Sequence, residues 1–116
     1  MKTTWQRIER WLRTHAPQVY ESLRPGATDK QLDEGERRLG VSFPESVRES
    51  YRIHDGQEPD GPALIDAWEF LSLERILDEW QVWKQLLDGG EFARSRSKPD
   101  PGIRPDWWAP RWIPLT

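Results

Sequence analysis

The residues best suited to acid–base chemistry in this sequence are its two histidines, His15 and His54. Histidine is the common general acid or base near neutral pH, because its ordinary pKa lies close to that pH. His54 is followed directly by Asp55, but adjacent helical side chains do not face each other, and no nucleophile accompanies the pair. We therefore interpret both histidines as turn or surface residues and predict that the protein is not an enzyme.

A short acidic segment offers clustered oxygen ligands, Asp55, Glu58 and Asp60. The segment lacks the alternating aspartates and the closing glutamate of a calcium-binding loop. The chain contains no cysteine, which excludes disulfides and thiolate zinc sites. We predict a solvated acidic loop with no metal and no cofactor, and we take these three carboxylates as candidate contacts for a protein partner.

Two adjacent tryptophans near the end of the sequence, Trp107 and Trp108, are a second candidate binding feature. Neighbouring residues of a strand point to opposite faces, so at most one of them can enter this chain's own core. The other is expected to be exposed or to contact a partner. Tryptophans beside Arg104 and Arg111 would suit single-stranded nucleic acid, but the acidic remainder of the chain argues against that ligand.

The charge is unevenly distributed along the chain. The formal net charge is −3, with +3 carried by residues 93–116 and −6 by residues 1–92. An acidic body disfavours nucleic acid and favours a basic protein partner. No apolar segment has the length of a signal core or a membrane span, so we expect a cytoplasmic protein without a membrane partner.

Capping patterns and glycines set the expected helix boundaries. Thr3 and Thr28 are each followed three residues later by glutamine, which predicts a capping box at the start of two helices. Ser72 is expected to cap the clearest helix, which should end at Gly89 and Gly90, and Gly40 is expected to end the helix that Thr28 begins.

Tryptophan is the unusual component of the predicted core, because the chain has eight of them. Trp5, Trp11, Trp80 and Trp83 fall at helical spacing among leucines and isoleucines, so we predict that they are buried. Trp68, which alternates with Phe70 in a weak strand pattern, is predicted to join them.

Five segments in this order carry a resemblance to a known family: 23–28 (LRPGAT), 36–46 (ERRLGVSFPES), 51–57 (YRIHDGQ), the tryptophan-containing helix 73–87, and 107–115 (WWAPRWIPL). They resemble the SUKH superfamily, which includes the fungal Smi/Knr cell-wall regulators and many bacterial toxin-immunity proteins. The resemblance implies an α+β fold in which helices pack on a small, mostly antiparallel sheet. Residues 1–116 would form one SUKH-like domain with an extended loop at 91–106.

The resemblance also implies the function. The leading interpretation is an immunity protein that binds and neutralises a cognate bacterial toxin, such as a basic nuclease domain; the alternative is a regulatory scaffold of the Smi/Knr cell-wall type. Family members continue with further strands after the segment that ends at Thr116. We therefore expect a helix-dominated form of the fold, with self-association through the unfinished sheet edge as a further expectation.

Overall fold

A computed structural model describes residues 1–94 and 98–116 of the chain. Its five helices are α1 (Lys2–His15), α2 (Pro17–Ser22), α3 (Asp29–Leu39), α4 (Glu45–Ile53) and α5 (Leu73–Asp88). Helix α1 packs against α2 and α4, and α3 packs against α4 and α5. None of the helices in the described part of the chain combines the length and the apolar character needed to cross a membrane.

Helix α1 begins earlier than the sequence predicts. It starts at Lys2 with Met1 as its N-cap, and no side chain caps it, so the predicted capping box of Thr3 and Gln6 is wrong. The helix forms because its buried residues, Trp5 and Leu12, share one face that packs on the core. Tertiary burial therefore outweighs the local capping signal here.

Helix α3 follows its sequence pattern closely. The hydroxyl of Thr28 accepts from the Gln31 backbone N–H at 3.1 Å, and the Gln31 side chain accepts from the Thr28 N–H at 2.9 Å. The capping box is thus confirmed. At the other end, Gly40 has φ +69°, the left-handed conformation that ends a helix, which confirms that prediction as well.

An arginine of α4, Arg48, joins this helix to α3. The guanidinium of Arg48 lies 3.0 Å from a Glu36 carboxylate oxygen and 2.9 Å from one of Asp33. Glu36 also accepts a hydrogen bond from the Phe43 backbone N–H at 2.8 Å, so it holds the connection between the helices. The segment 36–46, which carries part of the family resemblance, therefore acts as a structural joint.

The predicted α+β fold is wrong for the residues that the structure describes. They contain no sheet, and β pairing is limited to two isolated bridges, between Leu23 and Gln57 and between Ile65 and Trp68. Residues 57–72 form an irregular loop, because the Gln57 side chain takes two of the backbone donors that a neighbouring strand would otherwise satisfy. The strand expected around Trp68 and Phe70 is thus replaced by a side-chain-organised loop.

The C-terminal segment also forms no strand. Pro110 and Pro114 lack the backbone N–H that a strand ladder requires. A backbone hydrogen bond from the Leu71 N–H to the Leu115 carbonyl, 3.0 Å long, joins this segment to the residues before α5. The described residues contain no sheet, so they offer no sheet edge through which the expected self-association could occur. Within the predicted loop 91–106, residues 95–97 lie outside the described residues, and the remainder forms turns without helix or strand.

The core contains one tryptophan among aliphatic and other aromatic side chains. Its buried members are Trp5, Ala27, Leu32, Leu39, Phe43, Tyr51, Phe70, Leu71, Leu73, Ile76 and Leu77. The hydroxyl of Tyr51 donates to the Leu71 carbonyl at 2.7 Å within this core. The tyrosine therefore ties α4 to the segment that precedes α5.

Burial and the nearby Asp55 carboxylate raise the pKa of the Tyr51 phenol well above its ordinary value of 10.0. A raised pKa in the folded state contributes stability that is complete below the unfolded pKa and is lost as pH rises past it. We therefore expect the free energy of unfolding, measured with urea, to fall as pH rises above about 10. At neutral pH, the free energy of unfolding of the Tyr51→Phe variant should be about 1 kcal/mol lower, because the hydrogen bond is missing. Above about pH 10, its free energy of unfolding should fall less steeply than that of the unchanged protein, because the variant has no phenol to ionise at this position. Equal alkaline declines in the two proteins would contradict this assignment.

Candidate functional site

The three carboxylates of the predicted acidic site have different environments. Asp55 is mostly buried; its Oδ1 accepts from the Leu73 backbone N–H at 2.8 Å, and its Oδ2 lies 4.0 Å from the Arg24 guanidinium. Glu58 is exposed and lies 3.6 Å from the same guanidinium, and Asp60 is exposed. Asp55 therefore holds the start of α5, and only Glu58 and Asp60 present carboxylates to solvent.

The two predicted tryptophans also differ. Trp108 is half-buried, with its ring centroid 6.3 Å from that of Trp80 and 6.5 Å from that of Trp83. Trp107 is exposed, as expected for one member of the pair, although the two do not lie in a strand. Within the described residues, no hydrogen bond, ion pair or ring contact joins these tryptophans to Glu58 or Asp60. The structure does not bring the two halves of the predicted site into contact.

Helix α5 positions the C-terminal tryptophans. The indole N–H of Trp80 donates to the Pro110 carbonyl at 2.9 Å, and this bond anchors the segment after Trp108 to the helix. Trp83, one turn further along α5, stacks on Phe92 with ring centroids 5.9 Å apart. The helix thus serves as the support on which the last part of the chain packs.

Four tryptophans keep large apolar areas in solvent on α5 and the segments around it, and we call them the tryptophan surface. Their exposed fractions are 63% for Trp68, 41% for Trp83, 57% for Trp107 and 43% for Trp112. Two of them, Trp68 and Trp83, line one groove, and contiguous exposed apolar area marks contact sites for other molecules. Tryptophan is also enriched among residues that dominate binding energy at protein interfaces.

The prediction of a tryptophan core is therefore mostly wrong. Trp5 is buried and Trp80 is half-buried against the core, but Trp11, Trp68 and Trp83 are exposed. In α5, the buried residues all lie in the first two turns, so the apolar stripe of its C-terminal half is left open in the described structure. Helical spacing marks an apolar face but does not show whether the chain itself covers it.

A groove of about 300 Å³ opens within the tryptophan surface. Trp68 and Trp83 contribute to its walls. Leu71 and three charged side chains, Glu69, Arg75 and Glu79, also line it, together with Pro114 and Thr116. The groove was not predicted, because its lining comes from α5, from the loop before it and from the last residues of the chain.

His54 has structural partners on both ring nitrogens. Its Nδ1 lies 2.8 Å from the Arg24 carbonyl oxygen, and its Nε2 lies 2.8 Å from a Glu9 carboxylate oxygen. The ring also makes an edge contact with Trp5 at a centroid distance of 4.8 Å. The predicted surface histidine is thus half-buried at the contact between α1 and α4, with both nitrogens engaged.

Gln57 is the structural residue that sequence reasoning missed. The side chain is fully buried, and its Oε1 accepts from the backbone N–H groups of Leu64 and Phe70, both at 2.9 Å. Its Nε2 donates to the Pro62 carbonyl at 2.8 Å and to the Ser22 hydroxyl at 3.2 Å. The available signal was its place in the segment 51–57, whose resemblance to a family indicated importance without indicating burial.

The described part of the chain contains no set of side chains arranged to bind a metal ion. No group of three or more histidine, aspartate or glutamate side chains there is arranged to hold an ion. The carboxylates of the acidic loop are divided between the start of α5, Arg24 and solvent.

Comparison with known proteins gives a consistent result. The sequence profile of the SMI1 / KNR4 family (SUKH-1) matches residues 26–116. A KNR4/SMI1 homolog of Yarrowia lipolytica is 40% identical over 96 residues, which is 79% of this chain and 14% of that protein. The glucan synthesis regulatory protein of Neurospora crassa is 34% identical over 86 residues, which is 72% of this chain and 16% of the relative.

A third relative is similar over nearly all of this chain. The cell wall biosynthesis/cell cycle regulator smi1 of Schizosaccharomyces pombe is 30% identical over 126 aligned residues, covering 97% of this chain and 25% of the relative. The chain therefore spans a quarter or less of the length of these three relatives.

Proposed function

The chain belongs to the SMI1/KNR4 (SUKH-1) family, and we propose that it is a non-catalytic protein-binding module of the regulatory type found in the fungal members. The three relatives above are named for glucan synthesis, cell-wall biosynthesis or the SMI1/KNR4 family itself. These names support the regulatory alternative better than toxin immunity. The proposal concerns a module, because the chain corresponds to only part of each relative.

The observation that carries the proposal is the tryptophan surface. A small domain gains stability by burying its largest apolar side chains, yet four of eight tryptophans are open on and around α5. Covering such rings with a partner recovers apolar burial that the chain itself does not achieve. The surface therefore supports binding of another protein.

The polar groups that would suggest catalysis have structural uses. Both ring nitrogens of His54 are engaged, and Asp55 is occupied by the start of α5. A catalytic base must reach the proton that it abstracts in a substrate, and a side chain held by two protein partners is poorly placed to do so. These contacts support a binding role over an enzymatic one.

The charge of the chain suits a basic partner surface. The formal net charge is −3, and exposed carboxylates such as Glu58, Asp60 and Asp78 have no ion pair or only a long one in the described structure. Complementary charge accelerates association and selects among partners more than it adds affinity. We propose a protein partner that presents basic groups to the carboxylates of residues 1–92, which carry a formal charge of −6.

Exchange of segments tests this function. The matching segment of smi1 from Schizosaccharomyces pombe would be replaced by this chain and expressed in cells that lack the native gene. We expect the chimera to restore growth on a dye that binds cell-wall polysaccharide, because a regulatory module should work in the place of its relative. A chimera lacking the segment altogether provides the control.

Failure of the exchange would be recognised from two measurements, the amount of the chimera and the growth of the cells. A chimera that accumulates to the native level, while the cells remain as sensitive to the dye as the deletion strain, would contradict the regulatory function. The immunoblot and the growth curve are measured on the same cultures, so that loss of the protein is separated from loss of its activity.

A further inference from the structure

The groove within the tryptophan surface combines two kinds of group that attract cations. Trp68 and Trp83 line it with aromatic rings, whose faces carry negative partial charge. Glu69 and Glu79 line it with carboxylates. An aromatic ring and a carboxylate in one groove favour the same ligand chemistry, a flat or compact cation.

Internal pairing leaves the groove with an excess of negative charge. A single guanidinium, that of Arg75, lies 2.8 Å from a Glu79 oxygen and 3.5 Å from the Oε2 of Glu69. One positive charge thus serves two carboxylates. Within residues 1–94 and 98–116, the other oxygen of Glu69, Oε1, is buried and accepts no hydrogen bond. The two carboxylates and the one guanidinium therefore leave the groove with a net charge of −1.

We infer that this groove receives an arginine side chain of the protein partner. This inference rests on the proposed binding function and specifies the chemistry of the contact. A guanidinium stacks on an indole face and donates paired hydrogen bonds to a carboxylate, which a lysine ammonium does less well. An acidic side chain would meet two carboxylates, and an apolar one would leave the excess negative charge of the groove unpaired.

The size of the groove agrees with a single inserted side chain. Its volume of about 300 Å³ lies at the lower end of the range for small-molecule sites. The groove is lined by segments that are already anchored, since Leu71 donates to the Leu115 carbonyl at 3.0 Å. The arginine would therefore enter an existing groove beside the exposed rings of Trp68 and Trp83.

Titration with N-acetylarginine amide tests the inference directly on the whole chain. The indole N–H signals of the eight tryptophans would be followed by nuclear magnetic resonance and assigned with single Trp→Phe variants. We expect the signals of Trp68 and Trp83 to shift in a saturable way, with a Kd in the millimolar range that suits one side chain. The Trp11 signal, from an exposed ring on α1, should not move.

Variants and a neutral ligand make the result decisive. The Glu69→Gln variant should bind N-acetylarginine amide roughly tenfold more weakly, because a charge-assisted hydrogen bond is lost. Glu74→Gln on the same helix, outside the groove, should bind as the unchanged protein does. N-acetylglutamine amide should produce no saturable shift.

Absence of saturable shifts at Trp68 and Trp83 would overturn the arginine inference, as would equal shifts with the neutral amide. Neither result bears on the segment exchange with smi1, which reports the module's function whatever side chain the groove takes. Failure of the exchange together with selective arginine shifts would overturn the regulatory function and leave the groove chemistry standing.

Discussion

Replacing Gln57 with leucine is expected to lower the free energy of unfolding by about 3 kcal/mol or more, enough to unfold much of a marginal domain. The leucine is similar in size but leaves the buried N–H of Phe70 and the half-buried N–H of Leu64 without an acceptor. It also removes the donor to the Pro62 carbonyl. Each buried polar group left unpaired costs roughly 1–3 kcal/mol. Urea denaturation followed by circular dichroism measures the loss.

The matched control is Gln81→Leu, the same substitution at an exposed position of α5. Its side chain has no hydrogen bond in the described structure, so its stability should change by about 0.5 kcal/mol or less. Similar unfolding midpoints for the two variants would show that the buried amide does not organise the loop 57–72.

Replacing Gly56 with alanine is expected to cost about 3 kcal/mol, from backbone conformation and from steric overlap together. Gly56 has φ +68°, where an L side chain is strained. A Cβ at this position would lie 2.5 Å from the Leu71 carbonyl carbon and 2.6 Å from the Ser72 Cα. These are backbone atoms at the start of α5 and cannot move without displacing the helix.

Gly40→Ala separates the two costs. Gly40 has nearly the same φ, +69°, but no atom lies within 4 Å of a Cβ built on it. It should therefore lose only the conformational part, about 1 kcal/mol. Thermal unfolding of both variants gives the comparison, and equal destabilisation would mean that the close approach of Gly56 to α5 carries no energetic weight.

Capping residues and glycines predicted the helix boundaries well where the partners of each cap lie close to it in sequence. The Thr28 box, the Ser72 cap and the left-handed Gly40 depend on residues within four positions of each other. Such interactions are readable from spacing alone. Thr3 failed because the helix extends to Lys2, where packing of Trp5 against the core stabilises residues that no side chain caps.

The absence of the predicted sheet from the described residues could not be foreseen, because it depends on a long-range side-chain contact. The alternation of Trp68 and Phe70 resembles a strand, and backbone groups in such a segment need partners. In the structure Gln57 supplies an acceptor to Phe70 from thirteen residues away, and Ile65 and Trp68 close a tight turn between them. Nothing in the local pattern distinguishes a strand neighbour from a buried amide.

The tryptophan surface could be predicted only in part, because it also depends on long-range contacts. The sequence predicted that one of Trp107 and Trp108 is exposed, without indicating which, whereas the exposure of Trp68 and Trp83 contradicts the prediction that both are buried. Periodicity reports that a side chain lies on an apolar face, whereas the open groove depends on which other segments reach that face. The hydrogen bond of Asp55 with the Leu73 N–H could not be predicted from local spacing, because it joins residues eighteen positions apart.

The central claim, that the exposed tryptophans bind a partner, is tested most directly by growth of the smi1 chimera carrying Trp68→Ala together with Trp107→Ala. Both rings are mostly exposed and have no ring contact in the described structure, so the variant should unfold thermally within a few degrees of the unchanged protein. We expect it to lose dye resistance, while Trp11→Ala, an equally exposed tryptophan on α1, keeps it. Full resistance in the double variant would contradict the claim, and so would an equal loss in Trp11→Ala.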